Sequence, residues 1–168
     1  MEECSHTLEH IEIACDFLGT SSRYPLRPGD LFLILAGCGP GSIDLSKAIK
    51  LKHSAFRVES RQVDWVTSAL RTITPKHRDF RQITIYLAHD PTLWNVGTNV
   101  RQIVGELVFG QWLELDRLLA KLWESRSIRP QILYFAPLGN GKRITTRMGC
   151  LLPEITKRRI IDLDEWIF

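Results

Sequence analysis

Gly37, Gly39 and Gly41 recur at every second position in Ala36-Gly-Cys-Gly-Pro-Gly-Ser42, directly after the apolar run Leu31-Phe-Leu-Ile-Leu35. Glycines at that spacing let a backbone turn tightly and come close to a nucleoside. Residues 43–51 are compatible with a following helix, and Glu59 closes Phe56-Arg-Val-Glu59, 22 residues after Gly37. An acidic side chain at the tip of the next strand, about 20 residues on, is placed to bind ribose hydroxyls. The same residues also have a plainer use. Gly39-Pro40-Gly41 is an ordinary turn signal, and Leu45, Ala48, Ile49 and Leu51 equally suit a helix packed in a repeat.

Other chemistry is sparse. Cys4, Cys15, Cys38 and Cys150 are separated by 11, 23 and 112 residues, which fits no ribbon, finger or CxxC framework. Cys4, His6, His10 and Cys15 lie close in sequence, but Leu8, Ile11 and Ile13 read as the buried side of a strand that sends His10 and Glu12 outward. No metal site is expected there. Asp44, Asp64, Asp79 and Asp90 fall on loops and element starts, and Asp64 and Asp116 read as solvated or dipole partners near helix starts. His89-Asp90-Pro91 reads as a turn. No serine or cysteine nucleophile comes with a recognisable base, so no catalytic residue is assigned. Of Trp65, Trp94, Trp112, Trp123 and Trp166, three lie in helical patterns, which favours core packing over ligand stacking.

The elements that would position these groups follow from apolar spacing. Apolar-x-apolar pairs recur at Ile11/Ile13, Phe56/Val58, Ile83/Ile85, Ile132/Tyr134 and Ile161/Leu163, with steps of 45, 27, 49 and 29 between their second members. Such pairs mark short strands, and two of the steps approach a leucine-rich-repeat period of about 20–29 residues. Between them run helical patterns. Val63, Val66, Leu70 and Ile73 share one face ahead of Thr74-Pro75, and Trp112, Leu115, Leu119 and Leu122 repeat that character. The pattern predicts strands over 8–14, 54–59, 81–88, 130–135 and 160–164, with helices over 62–73, 101–123 and 148–158. An irregular stretch, 19–46, holds the apolar run at 31–36, and residues 89–100 and 136–147 read as loops. Links this long imply parallel strands in an α/β fold, read as one domain over 1–168.

The alternation of "Asp64-Trp-Val-Thr-Ser-Ala-Leu-Arg-Thr-Ile73" and "Trp112-Leu-Glu-Leu-Asp-Arg-Leu-Leu119" with "Arg81-Gln-Ile-Thr-Ile-Tyr-Leu87" resembles the degenerate leucine-rich-repeat tails of fungal F-box-type proteins. The ending "Leu151-Leu-Pro-Glu-Ile-Thr-Lys-Arg158", then "Ile160-Ile-Asp-Leu163", is similar to the way such tails finish. The resemblance covers residues 45–168. It implies a short array of alternating parallel strands and helices, non-enzymatic, that holds a protein partner without a cofactor. The F-box itself is absent, so recruitment of a ligase is not implied. An uncapped start at Leu8 further implies the tail of a longer array, or an end that a partner covers. The glycine segment instead resembles the first motif of S-adenosylmethionine-dependent methyltransferases. That alternative implies a Rossmann-like doubly wound sheet, with Gly37, Gly39, Gly41 and Glu59 binding S-adenosylmethionine.

Composition bounds both readings. The 168 residues, 44% hydrophobic, suffice for a core without disulfide or metal staples. The excess of 22 Lys and Arg over 19 Asp and Glu lies wholly in residues 101–168, where 11 basic residues face 8 acidic ones. Only Lys157-Arg158-Arg159 forms a run of three, as a solvated helix end would. A dense basic stripe with interleaved aromatics is missing, which argues against nucleic acid. No apolar run approaches the 18 residues of a membrane span, and the start Met-Glu-Glu lacks a signal peptide's pattern. The expected location is intracellular, cytoplasmic or nuclear, with reduced thiols.

Overall fold

The computed structural model describes residues 7–14, 30–34, 43–58, 63–87, 111–134 and 141–165. Six strands, β1 (His10–Ala14), β2 (Asp30–Ile34), β3 (His53–Val58), β4 (Gln82–Leu87), β5 (Arg129–Tyr134) and β6 (Asp162–Glu165), form one sheet in the order β2-β1-β3-β4-β5-β6. Every neighbouring pair is parallel. The fold is therefore α/β. Five strands, β1 and β3 to β6, lie in chain order, as an array requires. β2 does not, because it pairs on the outer side of β1 and the order reverses there.

Helices fill the crossovers. α1 (Asp64–Arg71) links β3 to β4, α2 (Trp112–Arg126) precedes β5, and α3 (Gly141–Leu151) and α4 (Pro153–Lys157) precede β6. Strands β3 to β6 advance in one direction, so right-handed crossovers place these helices on one face of the sheet. α1 accordingly packs on α2, and α2 on α4. The faces that make this possible are those the periodicity predicts: Val63, Val66, Leu70 and Ile73, and Trp112, Leu115, Leu119 and Leu122, are all buried. They meet Ile11, Ile13, Phe56, Val58, Ile83, Ile85 and Ile132 from the strands in one core. Trp65 stacks edge-on against Phe56 with ring centroids 5.6 Å apart, a packing role for a helical tryptophan.

Three expectations need correction. Residues 43–51 do not form a helix. They run as successive turns in which the Ala48 amide donates to the Leu45 carbonyl and the Leu51 amide to that of Ala48, both at 2.9 Å. Leu45, Ala48 and Leu51 still enter the core, while Ile49 stands out at 37% exposure. The turns are held from outside. His77 Nε2 donates to the Leu45 carbonyl at 2.9 Å, its Nδ1 accepts from the Thr74 amide at 3.1 Å, and the Leu45 amide donates to Thr72 Oγ1 at 2.8 Å. Second, residues 141–147 begin α3 rather than ending a loop. Thr146, a poor helix former, turns its hydroxyl back to the Lys142 carbonyl at 2.8 Å, and buried Met148 anchors the segment. Third, residues 148–158 are two helices. Pro153 lacks the amide that would continue α3 and starts α4 at its first position.

Asp116 also departs from expectation, since it is 1% exposed and serves another helix. Its Oδ2 accepts from the Glu154 amide at 2.8 Å and its Oδ1 from the Ile155 amide at 3.1 Å. Leu152, at the cap position of α4, has no side chain able to do this. A carboxylate from α2 thus supplies the missing N-cap of α4. Asp64 does lie in the first turn of its own helix, α1.

Candidate functional site: the polar face of the sheet

Along each strand, side chains alternate between faces, so the residues opposite the core line a second surface. Register aligns them in rows. His10, His53, Gln82 and Arg129 form one row; Glu12, Ala55, Thr84 and Gln131 form the next; Arg57, Tyr86 and Leu133 form a third. His10, Gln82 and Arg129 are exposed, and Glu12, His53, Arg57, Tyr86, Gln131 and Leu133 are half-buried. The paired apolar residues thus go to the core and most of their alternates are polar, while Ala55 and Thr84, in the middle of this second face, are themselves buried.

These side chains bond across the strands. The His10 and His53 rings meet edge to face with centroids 5.9 Å apart. His53 Nε2 lies 2.9 Å from Thr84 Oγ1, and the Thr84 hydroxyl and Gln82 amide both reach Gln131 Oε1, at 3.5 and 3.4 Å. One polarity satisfies the chain: imidazole N–H to threonine oxygen, threonine O–H to glutamine carbonyl. Beside it, Arg57 Nε donates to Glu12 Oε1 at 2.6 Å, and the Arg57 guanidinium sits 5.7 Å from the Tyr86 ring centroid. Such cross-strand pairs each contribute roughly 0.2–1 kcal/mol, and together they hold these side chains in place. At the strand starts, Lys52 Nζ donates to Glu9 Oε2 at 2.7 Å, and that hydrogen bond and charge hold the Glu9 carboxyl below its ordinary value. The surface holds its donors and acceptors in fixed rows.

Of the residues singled out from the sequence, Gly37, Gly39, Gly41 and Glu59 lie outside the described residues, as do Cys4, His6, Cys15, Cys38, His89, Asp90, Trp94 and Trp166. The strands that flank the glycine motif are described. β2, before Gly37, and β3, before Glu59, are separated by β1. Among the described residues no group of three His, Cys, Asp or Glu could hold a metal ion, and no helix is long and apolar enough to cross a membrane. His10 and Glu12 do face outward, opposite Ile11 and Ile13, as the strand reading requires. Sequence reasoning did not single out His53, Arg57, Gln82, Thr84, Tyr86 or Gln131. Their signal was their position, since each is the alternate of a buried strand residue.

No family model, curated protein or solved structure matches the chain.

Proposed function

We propose that this protein is a non-enzymatic interaction module of leucine-rich-repeat-like architecture that presents the polar face of its sheet to a protein partner. The observation that supports this most is the one-sidedness of the strands. Parallel sheets covered by helices on both faces have near-continuous apolar strands. Here β3, β4 and β5 instead carry His53 and Arg57, Gln82 and Tyr86, and Arg129 and Gln131 on the face opposite the core. Side chains already bonded to one another lose less entropy when a partner docks.

A photo-crosslinking residue at Gln131 tests this, with one at Lys121 on the outer side of α2 as control. Protein adducts should form from Gln131 and not from Lys121. Equal adduct patterns from the two positions would refute the reading.

The reversal of strand order at β1 favours a second reading, an S-adenosylmethionine-binding protein using Gly37, Gly39, Gly41 and Glu59, because doubly wound sheets bind ligands where the order reverses. Two features weigh the other way. The glycine loop leaves an edge strand one place removed from that reversal, and the residues after it run as turns where a helix is needed. Calorimetry with S-adenosylmethionine decides between them, and micromolar binding abolished by Gly39→Val would favour the methyltransferase-like reading.

A further inference from the structure

A parallel sheet collects the starts of all its strands along one edge. The segments that lead into β3, β4, β5 and β6 therefore lie side by side, although they are far apart in sequence. They carry Lys47, Lys50, Lys52, then Lys76, Arg78, Arg81, then Arg126, Arg129, then Lys157, Arg158, Arg159. That is half of the chain's 22 basic residues, against Asp44, Asp79 and Asp162 in the same segments and Glu9 at the adjoining start of β1. All of these basic residues but Arg126 are exposed. Backbone bonds join the row: the Lys52 amide donates to the Glu9 carbonyl at 2.7 Å, the Arg81 amide to that of Lys52 and the Arg129 amide to that of Arg81, each at 2.9 Å.

Local needs account for part of this charge. Lys52 pairs with Glu9, Arg158 pairs with Glu124 and Glu154, and Lys157 lies at a helix C-terminus, where a cation is favoured. They do not account for Lys50, Lys76 and Arg78. None of these three forms an ion pair among the described residues, although the Lys50 charge does act on the Glu9 carboxyl, and Lys76 and Arg78 lie several residues beyond the last turn of α1. Like charges gathered at an edge repel one another, and an anionic partner would relieve that repulsion.

We infer that this rim docks an acidic, extended segment of the protein partner, an inference that rests on the interaction-module reading and names the chemistry of what binds. The rim adjoins the His10, His53, Gln82 and Arg129 row of the polar face, so one partner can meet both. From β3 to β6 the rim spans about 14 Å at about 4.8 Å per strand, which roughly five extended residues cover. Exposed Ile49, between Lys47 and Lys50, gives such a segment an aliphatic contact. Nucleic acid fits less well. Single strands need exposed aromatic platforms, and Phe80, the phenylalanine, tyrosine or tryptophan nearest Lys76, Arg78 and Arg81 in sequence, is wholly buried.

The experiment uses the full chain and three labelled probes in fluorescence anisotropy: hexaglutamate, hexaglutamine and a single-stranded oligothymidine of equal charge. Hexaglutamate should bind at about 0.05 M NaCl and weaken at least about tenfold by about 0.5 M, while hexaglutamine should not bind. The variant Lys50→Glu/Arg78→Glu, at exposed positions, should keep its Tm and lose at least about tenfold in hexaglutamate affinity. Undiminished binding by this variant, or absence of hexaglutamate binding, overturns the inference, and tighter binding of oligothymidine than of hexaglutamate reassigns the rim to nucleic acid. Adducts from Gln131 without hexaglutamate binding would overturn the rim alone. Hexaglutamate binding without those adducts would leave the rim standing and overturn the polar-face reading.

Discussion

Replacing Asp116 by alanine should destabilise the protein through α4 while leaving the sheet's surface untouched. The carboxylate satisfies two amides, those of Glu154 and Ile155, and among the described residues no other side chain bonds to either. An orphaned buried donor costs about 1–3 kcal/mol, and a lost helix cap about 1. Against these costs stands the relief of a buried charge. Burial is the main influence on this carboxyl and raises its pKa above the ordinary 3.8; the two amide hydrogen bonds oppose the rise. A net loss of about 2–4 kcal/mol is therefore expected for Asp116→Ala, and about 1–2 for Asp116→Asn, which keeps one acceptor oxygen. The sign with pH is also fixed. Because the folded pKa is raised, the folded state takes up the proton more readily, so acidification stabilises the wild type relative to Asp116→Asn. That relative gain should grow as pH falls through the raised folded value and level off below 3.8. Urea unfolding followed by the fluorescence of buried Trp65 and Trp112 measures both effects. The reasoning fails if Asp116→Ala lies within about 0.5 kcal/mol of wild type, or if the gap to Asp116→Asn shrinks on acidification.

Other expectations come from the same structure. Ser54 is wholly buried with no hydrogen-bond partner for its hydroxyl among the described residues, so Ser54→Ala should match or exceed wild-type stability by up to about 1 kcal/mol in urea; a clear loss would reveal a partner for that hydroxyl. Gly149 lies inside α3, where an added Cβ would meet Thr156 Cγ2 at an ordinary 3.6 Å, so Gly149→Ala should raise stability by about 1 kcal/mol, and a lower Tm would contradict it. Ser127 ends α2 in the left-handed region at φ 56°, so Ser127→Gly should be stabilising by about 0.5–1 kcal/mol in the same assay. His77→Ala should cost about 1–3 kcal/mol, because it removes the acceptor of the Thr74 amide and one of two donors to the Leu45 carbonyl, the Ala48 amide being the other, and hydrogen exchange at residues 45–51 should rise with it.

The sequence by itself determined most of the apolar residues that are buried and the periods they follow, though not the burial of Asp116 or the exposure of Ile49. Val63, Val66, Leu70 and Ile73, or Ile83 and Ile85, can satisfy their apolar side chains only on one face of a helix or strand, and that constraint is local. It also determined that the strands run parallel, because the links are too long for hairpins. Strand order was not local. Nothing in His10–Ala14 or Asp30–Ile34 indicates that β2 pairs on the far side of β1, since strand order is set by contacts between segments distant in sequence and not by the residues of either strand. Residues 43–51 carry a helix-like apolar spacing, yet contacts from Thr72 and His77, more than 25 residues away, hold them as turns. The charge shows the same division. Counted along the chain, the basic excess belongs to the last third. Folded, Lys50, Arg78, Arg129 and Arg159 come to one edge, because parallel pairing brings together strand starts from every part of the chain.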